Sequence, residues 1–409
     1  MTMLKGIQNY AIISGSYCAF TLTDGALRML VVLYFHQLGY TPLALASLFL
    51  FYEFFGIVTN LVGGWLASRF GLNNTMHIGM LLQIVALMML TIPSDNLTIL
   101  YVMLAQALSG IAKDLNKMSA KAGVKLLLPE HHNQSGRLFH WVAVLTGSKN
   151  TLKGIGFFVG GLLLHLYNFQ TALIILATGL LIILLLSFVY LPNDLGKTKS
   201  KPKFSQVFSH SAAINWLSAA RFFLFGARDI WFVIALPVYL TTIGWDFEQI
   251  GRFFALWIIG YGLVQAATPT IIRWIKRDHQ PNGKTAQHFA LPLMFIPAAI
   301  ALALWLEFEP SIVIIVGLAL FAILFALNSA LHSYLIVEWS DKDKVASAVG
   351  FYYMANAGGR LTGTVLSGLL FQYYGLTVCL ITSSVFIAIT ALLSDNLSVD
   401  SSQNSNLID

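Results

Sequence analysis

Lys149 and Lys153 stand four residues apart in TGSKNTLKGIGFFVGG (146–161), inside a long apolar stretch. On a helix that spacing puts both ammonium groups on one face. A lysine at the centre of a bilayer costs about 2.5–3.5 kcal/mol on insertion scales, so two on one face call for a watery cavity or an anionic ligand. Gly156, Gly160 and Gly161 form a smooth strip beside them, over which another helix can approach closely. Arg28, Arg228 and Arg360 fall at similar depth in other apolar stretches, as do Asp24, Glu53 and Asp229. Five cations against three anions make a positive centre, suited to a ligand with two or more negative charges. Arginine holds phosphate or carboxylate through a bidentate fork, lysine as a point charge.

Each of these residues also has an ordinary structural reading. Asp24 and Arg28, at i and i+4, can form an ion pair that only ties one helix together. The remaining charges can be salt bridges between helices. Glu53 lies among aromatics in FLFYEFFGIVTN, where a buried carboxylate can exchange a proton. Asp24 and Asp229 are its rivals for proton coupling, and a satisfied buried acid is the alternative for all three. Lys113, Lys117 and Lys121 share a face beside Asp114, and Lys113 is deep enough to line a vestibule. Lys121 and Lys125 are placed to snorkel to headgroups. Asn328, with His332 one turn on, is a polar cavity candidate.

The elements that must position these side chains are transmembrane helices. Of 409 residues, 57% are hydrophobic and 10% charged, against about 25% charged in soluble domains. Twelve apolar spans of crossing length run at about 8–36, 43–66, 75–92, 97–120, 138–164, 170–191, 213–240, 248–272, 289–306, 311–337, 345–371 and 375–394. They divide into an N-terminal six-helix half (1–191), a lysine-rich linker (192–212), a C-terminal half (213–394) and a polar tail (395–409). Lys and Arg crowd one set of loops and are missing from the other, which predicts cytoplasmic termini. The net charge of +6 is explained by those loops and does not point to nucleic acid. Cys18 and Cys379, far apart in sequence, give neither a disulfide framework nor a thiol metal site. No nucleophile with its base and no metal-ligand spacing is visible, so neither catalysis nor a cofactor is expected.

The halves repeat. Gly156 aligns with Gly363, Gly161 with Gly368 and Lys153 with Arg360, while Gly39 aligns with Gly244 and Asp24 with Asp229. Parallel six-helix repeats with a midplane site are the arrangement of major facilitator transporters. The stretch 63–75, GGWLASRFGLNNT, resembles their loop signature Gly-x-Leu-Ala-Asp-Arg-x-Gly-Arg-Lys, with Gly64, Arg69 and Gly71 as gating-loop candidates. Ser68 replaces the acid, and Leu72 and Asn73 replace the closing basic pair. GFFVGG (156–161) resembles the antiporter signature Gly-Pro-x-x-Gly-Gly, with Phe157 in place of proline, which favours efflux.

Four longer strings narrow the resemblance: FTLTDGALRMLVVLYFHQLGY (20–40), LFYEFFGIVTNLVGGWLASRFGL (50–72), QALSGIAKDLNKMSAKAGVK (106–125) and LTGSKNTLKGIGFFVGG (145–161). Together they look like the ArsJ-type organoarsenical efflux transporters, a branch of the major facilitator superfamily. The resemblance implies an all-α membrane protein, acting as a monomer in the cell inner membrane, that exports 1-arseno-3-phosphoglycerate. It also implies a functional link to a glyceraldehyde-3-phosphate dehydrogenase that makes this compound from arsenate, and hence arsenate resistance. The rival reading is a facilitator for another multiply charged organic anion, such as a phosphorylated metabolite.

Overall fold

The computed structural model describes residues 2–70, 72–125, 135–191, 211–276, 281–340 and 345–397; among them there are helices and no strand. The first half contains α1 (Thr2–Gln37), α2 (Pro42–Leu48), α3 (Leu50–Phe70), α4 (Leu72–Met89), α5 (Ile99–Lys125), α6 (Ser135–Leu166) and α7 (Phe169–Tyr190). The second contains α8 (Ala212–Phe232), α9 (Ala235–Thr242), α10 (Phe247–Lys276), α11 (Gly283–Trp305), α12 (Pro310–Glu338) and α13 (Val345–Asn396). α2 with α3 makes one crossing, and so does α8 with α9. α13 makes two, because its backbone turns at Gly375, φ 76°. The result is the twelve-crossing, two-half membrane fold that the apolar pattern predicts.

Among the described residues, eight helical stretches are long and apolar enough to cross a membrane, and the last of them, 348–396, covers both arms of α13. α4, α5 and α6 fall outside that set. Lys113, Asp114, Lys117, Lys149 and Lys153 interrupt α5 and α6, whereas α4 exposes Leu81 and Met88. Other helices show the opposite character to α5 and α6. Leu185 and Phe188 on α7, Phe295 on α11 and Leu392 on the second arm of α13 are large, apolar and exposed, as a lipid-facing surface requires.

The sequence repeat is a repeat of geometry. Gly39 and Gly244 both adopt left-handed backbone, φ 86° and 92°, where the chain turns after α1 and after α9. Gly156 on α6 lies against the Leu22 carbonyl of α1, and its counterpart Gly363 lies against the Gly226 carbonyl of α8. Gly161 and Gly368 both face the opposite half instead, Gly161 against α10 and Gly368 against α2. So one glycine of each pair closes its own half, and the other closes the seam between halves. α6 with α10 and α3 with α13 are the main cross-half packings.

Where α8 breaks before α9, the freed Ala235 N–H donates to Ser367 Oγ at 3.0 Å, so the interruption leaves that donor satisfied. Gly156→Ala is expected to force α6 away from α1 at the Leu22 carbonyl. Overpacking of this kind costs about 1–3 kcal/mol, read as a lower midpoint of thermal unfolding in detergent. An unchanged midpoint would mean that α1 and α6 are not tightly packed there.

Candidate substrate cavity

Between the halves lies a cavity of about 130 Å³. α1, α5 and α6 wall it from the first half, and α8, α10, α12 and α13 from the second. Its walls hold Arg28, Lys113, Lys149, Lys153, Arg228 and Arg360, together with Asp24. They also hold Arg221, a residue that the sequence places in a span without assigning it a role. Among the described residues, seven basic side chains therefore face one carboxylate on this wall.

At one level of the cavity the charges join into a chain. Arg28 Nη2 donates to Glu53 Oε1 at 2.7 Å, and Arg360 Nη2 donates to the same oxygen at 2.5 Å. Arg360 Nε reaches on to Asp229 Oδ2 at 3.0 Å. Arg228 donates to Asp229 Oδ1 through Nε at 2.7 Å and Nη2 at 2.5 Å. Both carboxylates are fully buried. The order is Arg28, Glu53, Arg360, Asp229, Arg228, with the Glu53–Arg360 link crossing from one half to the other. Three guanidiniums on two carboxylates leave one surplus positive charge.

This overturns the ion pair between Asp24 and Arg28 that their spacing within α1 allows. α3 packs near enough for two consecutive residues to take both partners. Glu53 receives Arg28, and Tyr52 Oη donates to Asp24 Oδ1 at 2.6 Å. Tyr52 is a hub, because its ring also carries Lys113 Nζ at 4.0 Å and the Arg28 guanidinium carbon at 4.7 Å from its centre. Such faces stabilise a desolvated cation. The approach depends on Gly110, which lies directly against the Tyr52 backbone and so seats Lys113, one turn later, over the ring.

Lys153 meets the ring of Phe157 at 5.6 Å. Gly25 on α1 lies against the Lys153 carbonyl, and this close approach brings the lysine alongside Asp24 and Arg28. Among the described residues, no carboxylate oxygen lies within 4.0 Å of Lys113 or Lys153. The contrast with the three arginines is chemical. Arg28, Arg228 and Arg360 already hold protein carboxylates, whereas these two lysines hold aromatic faces and remain available to an anion. Lys117 is spoken for: it donates to Asp114 Oδ1 at 2.7 Å and to Asn60 Oδ1, and lies 4.5 Å from the Tyr353 ring across the half boundary.

Asn328 does not join the cavity. Its Nδ2 donates to the Ala286 carbonyl of α11 at 3.0 Å, because the side chain leaves α12 on the face packed against α11. His332, one turn on, is likewise fully buried, with neither ring nitrogen hydrogen-bonded. Of the gating-loop candidates, Gly64 and Arg69 fall in the later turns of α3 but their side chains are outside the described residues, as is Gly71 altogether. Linker residues 192–210 and the tail beyond 397 are outside them too, while residues 211 and 212 of the expected linker already cap and begin α8.

Further polar ties cross the half boundary on either side of the cavity. Asn150 Nδ2 donates to Gln265 Oε1 at 2.6 Å. At the other end His36 Nε2 and Thr241 Oγ1 are 2.8 Å apart, and Leu43 N donates to Gln372 Oε1 at 3.2 Å. Composition gave no sign of these pairs, since each joins residues that are distant in sequence. Arg221 did carry a legible signal: seven residues before Arg228, it shares that residue's helical face.

Comparison with family models matches residues 13–286, more than half of the chain, to the Major Facilitator Superfamily. Comparison with curated proteins returned no match. Among solved structures, this chain is similar to a POT family transporter in complex with 5-aminolevulinic acid, with TM-score 0.74 and 14% identity, over 94% of this chain and 95% of that one. It is similar to the human organic anion transporter MFSD10 (TETRAN), with TM-score 0.69 and 14% identity, over 95% and 99%. It is also similar to the proton:xylose symporter XylE, with TM-score 0.68 and 11% identity, over 95% of each chain. At these identities the likeness is one of fold.

Proposed function

The chain belongs to the Major Facilitator Superfamily, and from that premise we propose that this multi-pass membrane transporter exports a small organic anion with two separated negative groups. The observation that carries the reading is the cavity wall, where seven basic side chains stand against three carboxylates, Asp24 on the wall and Glu53 and Asp229 paired behind it. An uncompensated cation at membrane depth is costly, and an anionic cargo is what offsets that cost during transport. Lys113 and Lys153, held on aromatic faces, supply point charges for one end of the cargo. The chain from Arg28 to Arg228 links the halves until alternating access separates them.

Within that class, the resemblance to ArsJ-type transporters points to 1-arseno-3-phosphoglycerate, with a phosphate at one end and an arsenate ester at the other. We place the protein in the cell inner membrane with both termini cytoplasmic, following its basic loops. It is proposed to work as a monomer beside a glyceraldehyde-3-phosphate dehydrogenase and to confer arsenate resistance. The test uses everted membrane vesicles containing the protein and supplied with arsenate, glyceraldehyde 3-phosphate, NAD and the dehydrogenase. Arsenic is expected to accumulate only with the complete mixture. Accumulation from arsenate alone, or none at all, would remove the organoarsenical reading.

The broader reading of another multiply charged organic anion rests on the same wall, which contains no feature particular to arsenic. Stable phosphorylated metabolites that compete with arsenic accumulation would favour it.

A further inference from the structure

We infer that Arg221 is a second anion-binding residue, holding the far negative group of a two-headed cargo on the second half of the transporter. The inference rests on the anion-export reading and adds to it the place where the second group binds.

Arg221 is only 3% exposed, yet among the described residues no carboxylate lies within 4.0 Å of it. It differs in this from Arg28, Arg228 and Arg360, each of which is paired. What surrounds it is a frame. Nε donates to Asn356 Oδ1 at 3.0 Å, and Nη1 donates to Ser329 O at 3.2 Å and Ser329 Oγ at 3.1 Å. The Phe225 ring lies 3.8 Å from the guanidinium carbon and 4.9 Å from that of Arg228. Phe225 thus stands between the two arginines on successive turns of α8. A buried, oriented and unneutralised guanidinium on a cavity wall is a costly arrangement in an empty protein. It is an efficient one for a planar, bidentate contact to phosphate, arsenate or carboxylate.

Arg221 and Arg228 are seven residues apart, two helical turns or about 10.5 Å along α8. Arg221 therefore marks a second level of the cavity, away from the paired-charge chain. A relay joins that level to the opposite half: Asn150 donates to Gln265, Gln265 Nε2 donates to Ser329 Oγ at 3.2 Å, and that oxygen also receives Arg221. Asn150 follows Lys149, which lines the same cavity. A cargo with one head on the lysines and the other on Arg221 spans the halves at the level where this relay crosses them.

The test compares two stable probes on purified protein in detergent by titration calorimetry. One is 3-phosphoglycerate, with a phosphate and a carboxylate at opposite ends; the other is inorganic phosphate, with one head. Wild type is expected to bind 3-phosphoglycerate more tightly. Arg221→Gln is expected to lose affinity for 3-phosphoglycerate by about tenfold to a hundredfold, the worth of a charge-assisted contact, and to keep its affinity for phosphate. Arg221→Lys retains the charge without the fork and is expected to fall between the two. A purely structural arginine would change both probes together, so the ratio of affinities is the readout. If wild type prefers the two-headed probe and Arg221→Gln keeps that preference, the Arg221 assignment is wrong while the anion reading stands. If wild type binds neither probe, both fall.

Discussion

Glu53→Gln is expected to destabilise the transporter by about 3–5 kcal/mol, the usual cost of breaking a buried ion pair by removing one partner. Glu53 Oε1 receives both Arg28 and Arg360, so its neutralisation leaves three guanidiniums around a single carboxylate, Asp229. Arg360→Met is expected to cost less. It removes the surplus cation and leaves two balanced pairs, Arg28 with Glu53 and Arg228 with Asp229. Thermal unfolding of the detergent-purified variants measures both, and the order matters more than the absolute values. The double variant Glu53→Gln with Arg360→Met should be more stable than the sum of the two single losses, because the residues touch and their effects couple. If Glu53→Gln unfolds at the wild-type temperature, the charge chain does not hold the halves together.

Lys153→Ala is expected to reduce anion uptake by everted vesicles roughly a hundredfold or more. At an effective dielectric constant near 20, two unit charges about 4 Å apart interact by about 4 kcal/mol. A lysine that contacts the cargo therefore outweighs any single neutral hydrogen bond on the wall. Lys153→Arg should keep part of the uptake, since the charge persists although its reach and shape change. The protein should fold in both cases, because Lys153 meets the Phe157 face and no acid depends on it. Wild-type uptake by Lys153→Ala, with the protein present at normal level, would move the anion site elsewhere.

The architecture was legible because a bilayer imposes it. Helix number and the two-half repeat follow from apolar length and from where charges are tolerated. The candidate site was legible in its residue types and depths. Arg28, Lys113, Lys149, Lys153, Arg228 and Arg360 reach one cavity because glycines let the helices bearing them approach, at 25, 110 and 156 in the first half and at 359 and 363 in the second. Partner choice was not legible. Spacing within α1 offers Asp24 to Arg28, but the rotation of α3 decides between neighbours 52 and 53, and a single sequence does not encode that rotation in any local pattern. Asn328 fails for the same reason: its helix face was open from sequence, and packing against α11 turned it away. The helical face that Arg221 shares with Arg228 was legible, but its burial without a counter-ion was not, being a property of three-dimensional surroundings.

The glycine seam between α6 and α10 has a mechanical meaning. At Gly147 with Gly262, and again at Gly161 with Gly251, backbone meets backbone with no side chain interlocked between them. Such a contact works as a bearing: one half can roll on the other without unpicking a set of interdigitated rotamers. The catches are then the few polar links that cross the same boundary, Glu53 with Arg360, Asn150 with Gln265, His36 with Thr241 and Leu43 with Gln372. Turnover in such a machine is governed by how fast a handful of latches release, and its lubrication is built into the chain as missing side chains.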